Sequence, residues 1–303
     1  MDALSKILES IKLSGVVYRK LEVTAPWGIE LPKSRFLQFW KLLEGACFLK
    51  VEENFYIQLA KGDLVLIPNG SSHCISDKAD SIKIPLKTYI NFRDSKSPYF
   101  LDGDLKTVML GGHFEFDDQY QHPLINGLPG VIHLKEIHQQ NQDWLELTTN
   151  QILLEIDQPK PGSDILVSRL SEGLFIHTLR AYIDQSKIKQ GFLLALTDER
   201  ICSALQNLQD SPEKNWTLEE LSKSAGMSRT LFFNSFKSLV GQTPLSYLQN
   251  WRMQKAKEIL LSSKDNVSVV ANQVGYQSEA AFNRLFKHTF KVTPARFRRS
   301  RSK

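Results

Sequence analysis

The pattern of apolar and polar positions changes character along the chain. Before residue 130, short apolar runs are separated by Gly and Pro, and four of these runs lie at residues 36–43, 47–51, 55–59 and 63–67. Runs of this length, bounded by turn residues, are typical of β-strands. The first part of the chain is therefore predicted to form a small β-barrel or sandwich.

Two longer segments with helical spacing follow, at residues 144–156 and 163–183. Their apolar stripes consist of Leu145, Ile152 and Ile156, and then of Leu166, Leu170, Leu174 and Leu179. Such stripes are typical of amphipathic helices. The helices are expected either to pack on the barrel or to form a dimer interface. Residues 185–195 are interpreted as a linker.

Beyond the linker the sequence repeats itself at an offset of fifty residues. Ser228 matches Ser278 and Phe232 matches Phe282. The same offset relates Phe236-Lys237 to Phe286-Lys287, Thr243-Pro244 to Thr293-Pro294, and Tyr247 to Phe297. Two copies of one small unit are implied.

Each copy is predicted to be a helix, a tight turn and a second helix. In the first copy, Thr217 and Glu220 have capping-box spacing, Gly226 supplies the turn and Ser228 is an N-cap. In the second copy, Gly275 supplies the turn and Ser278 the N-cap. The residues expected to face inward on the second helices are Leu231, Phe232, Phe236 and Leu239, and then Phe282, Leu285 and Phe286.

A long helix is predicted between the copies, beginning at Pro244 and running to about Ser262. Its buried side is expected to hold Leu245, Leu248, Trp251, Ile259 and Leu260. At about 1.5 Å per residue, such a helix spans roughly 27 Å, which approaches one turn of B-DNA once the flanking turns are added. The two second helices are thus spaced to enter adjacent segments of a major groove.

Charge separates the two parts of the chain. Residues 195–303 hold 17 Lys and Arg against 9 Asp and Glu, whereas the preceding 194 residues hold 21 against 24. The basic part favours a polyanionic partner. Three widely spaced cysteines without zinc-site spacing, together with the lack of a signal peptide or an apolar run of membrane length, predict a reduced, cytoplasmic protein.

The last third resembles the DNA-binding domain of the AraC/XylS regulators, over WTLEELSKSAGMS, RMQKAKEIL and VGYQSEAAFNRLFKHTFKVTPARFRR. The resemblance implies that the second helix of each unit enters the major groove. The positions implied to face bases are Thr230, Phe233 and Asn234, and then Glu279, Ala280, Asn283 and Arg284.

The chemistry of these side chains suits different roles. Arg284 can contact guanine, Asn234 and Asn283 can pair with adenine, and Phe233 either touches a thymine methyl or belongs to the core or a partner contact. Residues suited to phosphates are Arg229, Lys237, Lys287, Arg296, Arg298 and Arg299. Lys237 and Lys287 could instead simply solvate a helix. Lys291 stands where the family usually has Gly, so a positive φ there would strain the backbone.

The segment from Gly62 to His73 resembles the second motif of the cupin barrels, and the N-terminal part as a whole resembles a cupin-type sensing domain. No histidine precedes His73, so the expected metal site lacks its first motif, and His73 is interpreted as structural. The resemblance implies an effector pocket, for which the candidates are Trp27, Phe39, His73 and Phe114. Each of these residues could equally be plain barrel core.

The sequence thus predicts an α+β protein of two domains: a cupin-like barrel with flanking helices at residues 1–140, a helical packing or dimerisation segment at 141–190, and a tandem helix-turn-helix domain at 195–303. The leading hypothesis is a non-enzymatic, sequence-specific transcription regulator, expected to be an activator. Its expected partners are double-stranded promoter DNA, a small-molecule effector, RNA polymerase and a second copy of the chain, with no membrane, metal or cofactor. The alternatives are a cupin metalloenzyme with a DNA-binding appendage and an architectural protein.

Overall fold

A computed structural model describes residues 1–52, 55–94, 105–116, 122–135, 142–185, 188 and 191–301. The chain forms two compact units. One, which we call the β unit, comprises Leu13–Phe116 and Leu128–Lys187. The other, the helical unit, comprises Met1–Lys12, Asp117–Gly127 and Ile188–Lys303.

The described strands form two five-stranded sheets. They are β1 (Ser14–Thr24), β2 (Gly28–Leu31), β3 (Leu37–Glu44), β4 (Ala46–Val51), β5 (Phe55–Ala60), β6 (Leu64–Ile67), β7 (His73–Ser76), β8 (Ile84–Pro85), β9 (Lys106–Glu115) and β10 (Ile132–Leu134). One sheet has the order β1-β9-β3-β6-β10 and the other β5-β4-β7-β2-β8. Neighbouring strands are antiparallel except β2 and β8, which are parallel.

The described helices are α1 (Ala3–Ser10), α2 (Leu86–Asp94), α3 (Pro123–Asn126), α4 (Gln142–Asp157), α5 (Ser163–Asp184), α6 (Phe192–Thr197), α7 (Glu199–Asp210), α8 (Leu218–Ser224), α9 (Arg229–Val240), α10 (Pro244–Ser262), α11 (Val267–Gln273), α12 (Glu279–Phe290) and α13 (Pro294–Arg301). The predicted two-part α+β architecture is confirmed, with the strands near the N-terminus and a C-terminal region built of helices alone. Across the described part of the chain, none of these helices has the length and apolarity that a membrane span requires.

The four strand-like runs correspond to β3, β4, β5 and β6, within a residue at each end. The pattern did not reveal β1 and β9, the longest strands, which pair from Ser14 opposite Glu115 to Thr24 opposite Lys106. An apolar core that includes Trp27, Trp40 and Leu49 draws side chains from both sheets. Sheet residues alternate between this core and the opposite face.

The two amphipathic segments form α4 and α5, which pack on each other and on β1. Leu145, Ile152, Leu174 and Leu179 are buried, in agreement with the packing alternative, whereas Ile156 and Leu170 are half-buried and Leu166 is exposed. Leu166 is the first residue of the predicted stripe and lies in the first turn of α5, where the helix begins and its side chain reaches solvent.

The structure draws the boundary between the units differently from the sequence. Helix α1 and the segment before Gly127 belong to the helical unit, although both fall within the predicted barrel domain at residues 1–140. Ile7 of α1 is fully buried, and Lys6 forms an ion pair with Asp210 at the end of α7. These contacts join residues about two hundred positions apart, so no local pattern reports them.

Residues around 185–195 also differ from the predicted linker. Phe192, Leu193 and Ala195 are buried in α6, within the helical unit. The ring of Phe192 packs against His122, which caps α3 by accepting a hydrogen bond from the backbone N–H of Leu124 at 3.0 Å. Residues 186–187 and 189–190 of the predicted linker lie outside the described residues.

Candidate nucleic-acid interface

The first helix-turn-helix consists of α8 and α9, and its caps are those expected. The Thr217 hydroxyl accepts from the backbone N–H of Glu220 at 3.2 Å, and the Glu220 carboxylate accepts from the backbone N–H of Thr217 at 2.9 Å. The hydroxyl of Ser228 then caps α9. The starts of both helices are thus fixed by local hydrogen bonds, which is why the sequence alone predicts the element.

The second helix-turn-helix consists of α11 and α12. Ser278 caps α12 by accepting from the backbone N–H of Ala281 at 3.3 Å, matching Ser228 in the first unit. Phe282 and Phe286 are fully buried, as are Phe232 and Phe236 at the same positions of α9. The four phenylalanines therefore hold the two second helices in place and cannot be wedges between bases.

Helices α9 and α12 show the same order of exposed, half-buried and buried positions over all twelve residues. In each helix the first three positions are exposed, the fourth, eighth and twelfth are buried, and the sixth, ninth and tenth are exposed. Two helices with the same burial pattern lie in the same way on their supporting helices. The fifty-residue repeat is therefore a repeat of surface as well as of sequence.

The structure places the ten candidate DNA-contacting residues on these two surfaces. Eight of them are exposed: Arg229, Thr230, Asn234, Lys237, Glu279, Ala280, Arg284 and Lys287. The other two, Phe233 and Asn283, are half-buried and occupy matching positions. Each helix thus presents one face whose polar groups are free to approach a ligand.

The charges differ between the two faces. Lys237 and Lys287 lie in the last turns of α9 and α12, where a cation also stabilises the helix dipole. Glu279 lies in the first turn of α12, and its carboxylate is 3.5 Å from the Asn283 amide nitrogen. Asn283 is thus held within its own helix, whereas Arg284, the next residue, is exposed.

Several predictions about the C-terminal helices need correction. Leu231 is 52% exposed and Leu245 is 49% exposed, although both were expected to face inward. Each lies at the first turn of its helix, beyond the edge of the packed core. Arg298 was assigned to phosphate contact, but its Nε donates to the backbone carbonyl of Leu260 at 3.2 Å.

The four effector-pocket candidates of the β unit fall into two groups. Trp27 belongs to the apolar core, and His73 contacts Trp40 of the same core. Phe39 and Phe114 pack on each other with ring centroids 5.1 Å apart, and Phe114 packs on Phe175 of α5 at 5.0 Å. All four are buried. The candidates thus lie among packed side chains on opposite sides of the sheet that contains β3 and β9, because neighbours such as Phe39 and Trp40 of β3 point in opposite directions.

Both ring nitrogens of His73 are engaged. Nε2 accepts a hydrogen bond from the Trp40 indole at 2.9 Å, and Nδ1 is 3.0 Å from the backbone carbonyl of Ser71, to which it donates in the neutral ring. Burial lowers the pKa of His73 to about 4. Among the described residues no group of three or more His, Cys, Asp or Glu side chains is arranged to hold a metal ion. The geometry therefore supports a structural role for His73.

Two cavities border the α4–α5 hairpin within the β unit. One, of about 440 Å³, lies between β1 and the ends of α4 and α5; its lining includes Val17, Glu155, Ile156, Asp164 and Val167. The other, of about 260 Å³, has Lys41, Lys61 and Glu146 as the charged residues of its lining. The apolar and polar runs of the sequence gave no signal for either, because each is formed by the approach of a helix to a strand end.

Arg252 of α10 was also missed as a residue of interest. It is buried, and its guanidinium bonds to backbone carbonyls of the loop before α8. The available signal was an arginine next to Trp251 on the inward face of a helix, where a cation needs specific partners.

Comparison with known proteins gives consistent results for both units. A family model described as cupin matches residues 2–184, and a model described as a helix-turn-helix domain matches residues 221–300. The transcriptional regulator AlkR of Acinetobacter baylyi is 31% identical over 98% of this chain and 99% of its own. A putative AraC-like transcription regulator of Streptomyces antibioticus is 28% identical over 99% of each chain. The transcriptional activator RclR of Escherichia coli, specific for RCS, is 26% identical over 98% of this chain and 97% of its own.

Proposed function

Because the chain belongs to the AraC/XylS family of transcriptional regulators, with a cupin N-terminal domain and a helix-turn-helix C-terminal domain, we propose that it binds specific promoter sequences through α9 and α12. The observation that carries this proposal is the shared burial pattern of the two helices. Both helices offer a major groove the same kind of face. The nineteen residues of α10 join them over about 28 Å, in keeping with one turn of DNA.

The side chains divide into those that read bases and those that bind phosphates. Arg284 suits a bidentate contact to guanine, and Asn234 suits adenine. Arg229, Lys237 and Lys287 suit phosphates, which carry affinity but no sequence information. The half-buried Phe233 has an apolar side chain, so it suits an apolar contact such as a thymine methyl.

The β unit is proposed to sense a small molecule. Because the interior candidates are packing residues, we place the effector in the cavity of about 440 Å³ beside Val167, whose size falls in the range of roughly 300–1,000 Å³ usual for ligand sites. The charged residues of its lining are Glu155 and Asp164. A neutral or cationic apolar molecule therefore suits it better than an anion. A cupin-type metalloenzyme finds no support among the relatives, and the unit is proposed to have no catalytic role.

RNA polymerase and a second copy of the chain are proposed as further partners. The name of the Escherichia coli relative favours activation, which requires contact with RNA polymerase. A homodimer is supported by exposed apolar residues on α4, where Leu147 and Leu154 lie two turns apart on one face and are 63% and 54% exposed. A cytoplasmic location is proposed as well, since the promoters of a bacterial chromosome lie there.

Electrophoretic mobility shifts test the central proposal. The full-length protein is titrated against fragments covering a genome, over a range of salt concentrations. A small set of fragments should bind far more tightly than the rest, and affinity should fall steeply with salt because phosphate contacts release counterions. Equal affinity for every fragment would contradict specific regulation and favour an architectural protein.

A further inference from the structure

Arg252 is a buried cation in the middle of α10, only 8% exposed. Its Nε donates to the carbonyl of Pro212 at 2.5 Å, and its Nη2 donates to the carbonyls of Lys214 at 2.9 Å and Glu213 at 3.4 Å. A guanidinium presents its donors in a rigid, planar fork. Three successive carbonyls of one loop are therefore gathered around a single side chain.

The loop that Arg252 holds belongs to the first helix-turn-helix. It connects α7 to α8 and is braced from within: the indole of Trp216 donates to the carbonyl of Ser211 at 3.0 Å, and Lys214 lies over the Trp216 ring at 3.8 Å. Lys214 also forms an ion pair at 3.2 Å with Glu220, which caps α8. These contacts connect the loop to the first turn of α8.

The turn of the second helix-turn-helix lies against the same loop. A Cβ atom at Gly275 would be 2.6 Å from the carbonyl oxygen of Glu213 and 2.8 Å from Nη2 of Arg252. The guanidinium also lies 5.5 Å from the ring centroid of Tyr276. The backbone of the second turn thus approaches the first unit closely, at the point that Arg252 organises, and glycine at position 275 permits it.

We propose that Arg252 is a positioning residue that fixes the orientation of the second helix-turn-helix relative to the first, and so sets the spacing of DNA half-sites that the protein accepts. Helix α10 packs on the second unit through an apolar core that includes Met253, Ala256 and Leu260. The contacts of Arg252 and Gly275 add a polar connection from this packed unit to the loop of the first unit. A protein whose reading helices are already oriented loses less entropy when both bind, so the second contact becomes effectively intramolecular.

This inference rests on the proposed tandem binding of DNA. Two measurements distinguish a failure of the inference from a failure of the proposed function. The first uses full-length protein and a duplex enriched from a random library by the wild-type chain, together with versions in which one half-site is scrambled or one base pair is inserted between the half-sites. Arg252→Gln should bind the intact duplex about 10-fold or more weakly. It should bind the scrambled duplexes with an affinity within about 2-fold of wild type. Inserting one base pair between the half-sites should weaken binding by the wild type but not by this variant.

Lys255→Gln is the matched control, since it removes one positive charge from the same helix without touching the loop. Arg252→Lys, which keeps the charge but not the fork, should fall between wild type and Arg252→Gln. An equal loss on intact and scrambled duplexes, or an unchanged insertion penalty, would overturn the inference. A general destabilisation of the fold would lower the affinity for intact and scrambled duplexes equally.

The second measurement needs no DNA. Spin labels at Ser238 and His288, which are exposed at matching positions of α9 and α12, report the distance between the helices. The native cysteines are replaced first. The distance distribution should be narrow in wild type and in Lys255→Gln, and broader in Arg252→Gln and in Gly275→Ala. If the distance distributions of Arg252→Gln and wild type are equally wide, the positioning role is refuted, whether or not specific DNA is found. If the variant distribution is broader but the wild-type chain binds no DNA sequence specifically, only the proposed function is refuted.

Discussion

Lys291 ends α12 in the same left-handed conformation in which Gly241 ends α9. Their φ angles are +62° and +79°, and the two residues occupy matching positions of the repeat. A left-handed conformation costs a residue with a Cβ more than it costs glycine. The C-terminal end of α9 is therefore unstrained, whereas the C-terminal end of α12 is strained at Lys291.

Replacing Lys291 by Gly should stabilise the helical unit by about 1 kcal/mol, because the strain of the left-handed conformation is relieved. Equilibrium urea unfolding measures the change. Asn tolerates the left-handed conformation better than most residues, so Lys291→Asn should give part of this stabilisation. Lys291→Ala should give none. A Gly variant no more stable than the Ala variant would show that Lys291 is not strained.

Arg284→Ala should lower affinity for the preferred site by about 1–3 kcal/mol and relax the preference at one base pair, since the bidentate contact to a base edge is lost. Lys287→Ala, on the same face one turn later, should weaken binding to all sequences alike and reduce the salt slope by about one. Binding to a library of single-base variants checks both. If Arg284→Ala weakened binding to all sequences equally, Arg284 would bind a phosphate and not a base.

Acid should destabilise both units through buried histidines. Burial lowers the pKa of His73 to about 4 and that of His122 to about 3, whereas an unfolded histidine has a pKa near 6.5. Between those values the unfolded chain binds more protons than the folded chain, so the free energy of unfolding falls as pH falls below about 6.5. Each histidine contributes up to about 1.4 kcal/mol per pH unit, until its folded pKa is reached.

Two substitutions remove these titrations while keeping the hydrogen bonds. Gln at position 73 can still donate to the Ser71 carbonyl and accept from Trp40, and Asn at position 122 can still cap α3. Urea unfolding between pH 4.5 and 7 should show a free energy of unfolding that depends less steeply on pH in each variant, by up to about 1.4 kcal/mol per pH unit. Profiles parallel to wild type would contradict the assignment.

Exposed leucines of α4 should hold a dimer together. Leu147→Glu and Leu154→Glu each place a charge on the exposed apolar face and should weaken self-association about 10-fold or more, because a buried unpaired charge is costly. Sedimentation velocity over a range of concentrations measures the change. Glu146→Gln, beside this face, serves as the control. A wild-type chain that remains monomeric at all concentrations would exclude the dimer.

The effector cavity can be filled from within. Val167→Trp puts a large ring into the space of about 440 Å³, so compounds that raise the melting temperature of the wild-type chain should no longer do so. Arg169→Trp, two residues along the same helix and outside the lining, should respond as wild type does. A screen of neutral and cationic apolar compounds by thermal shift provides the probes. An undiminished response in Val167→Trp would place the effector elsewhere.

Local features explain why the helix-turn-helix units could be predicted closely. The capping box at Thr217, the caps at Ser228 and Ser278 and the proline at Pro244 each act within a few residues of themselves. Helix boundaries are set by such short-range hydrogen bonds and by the apolar period, both of which are written in the sequence. The same holds for β3 to β6, whose apolar runs end at turns.

What the sequence by itself determined is therefore the helix-turn-helix elements, the strands β3 to β6, the repeat and the chemistry of the faces of α9 and α12, whereas β1 and β9 were not revealed by the pattern. Only the tertiary structure decided that α1 joins the helical unit, that Phe39 and Phe114 pack under α5 while Trp27 lies in the core, and that Leu231 is exposed. It also decided the partners of Arg252, which lie about forty residues away along the chain. The physical reason is that a period or a cap records contacts within one or two turns, whereas these arrangements depend on which surfaces meet after the chain has folded.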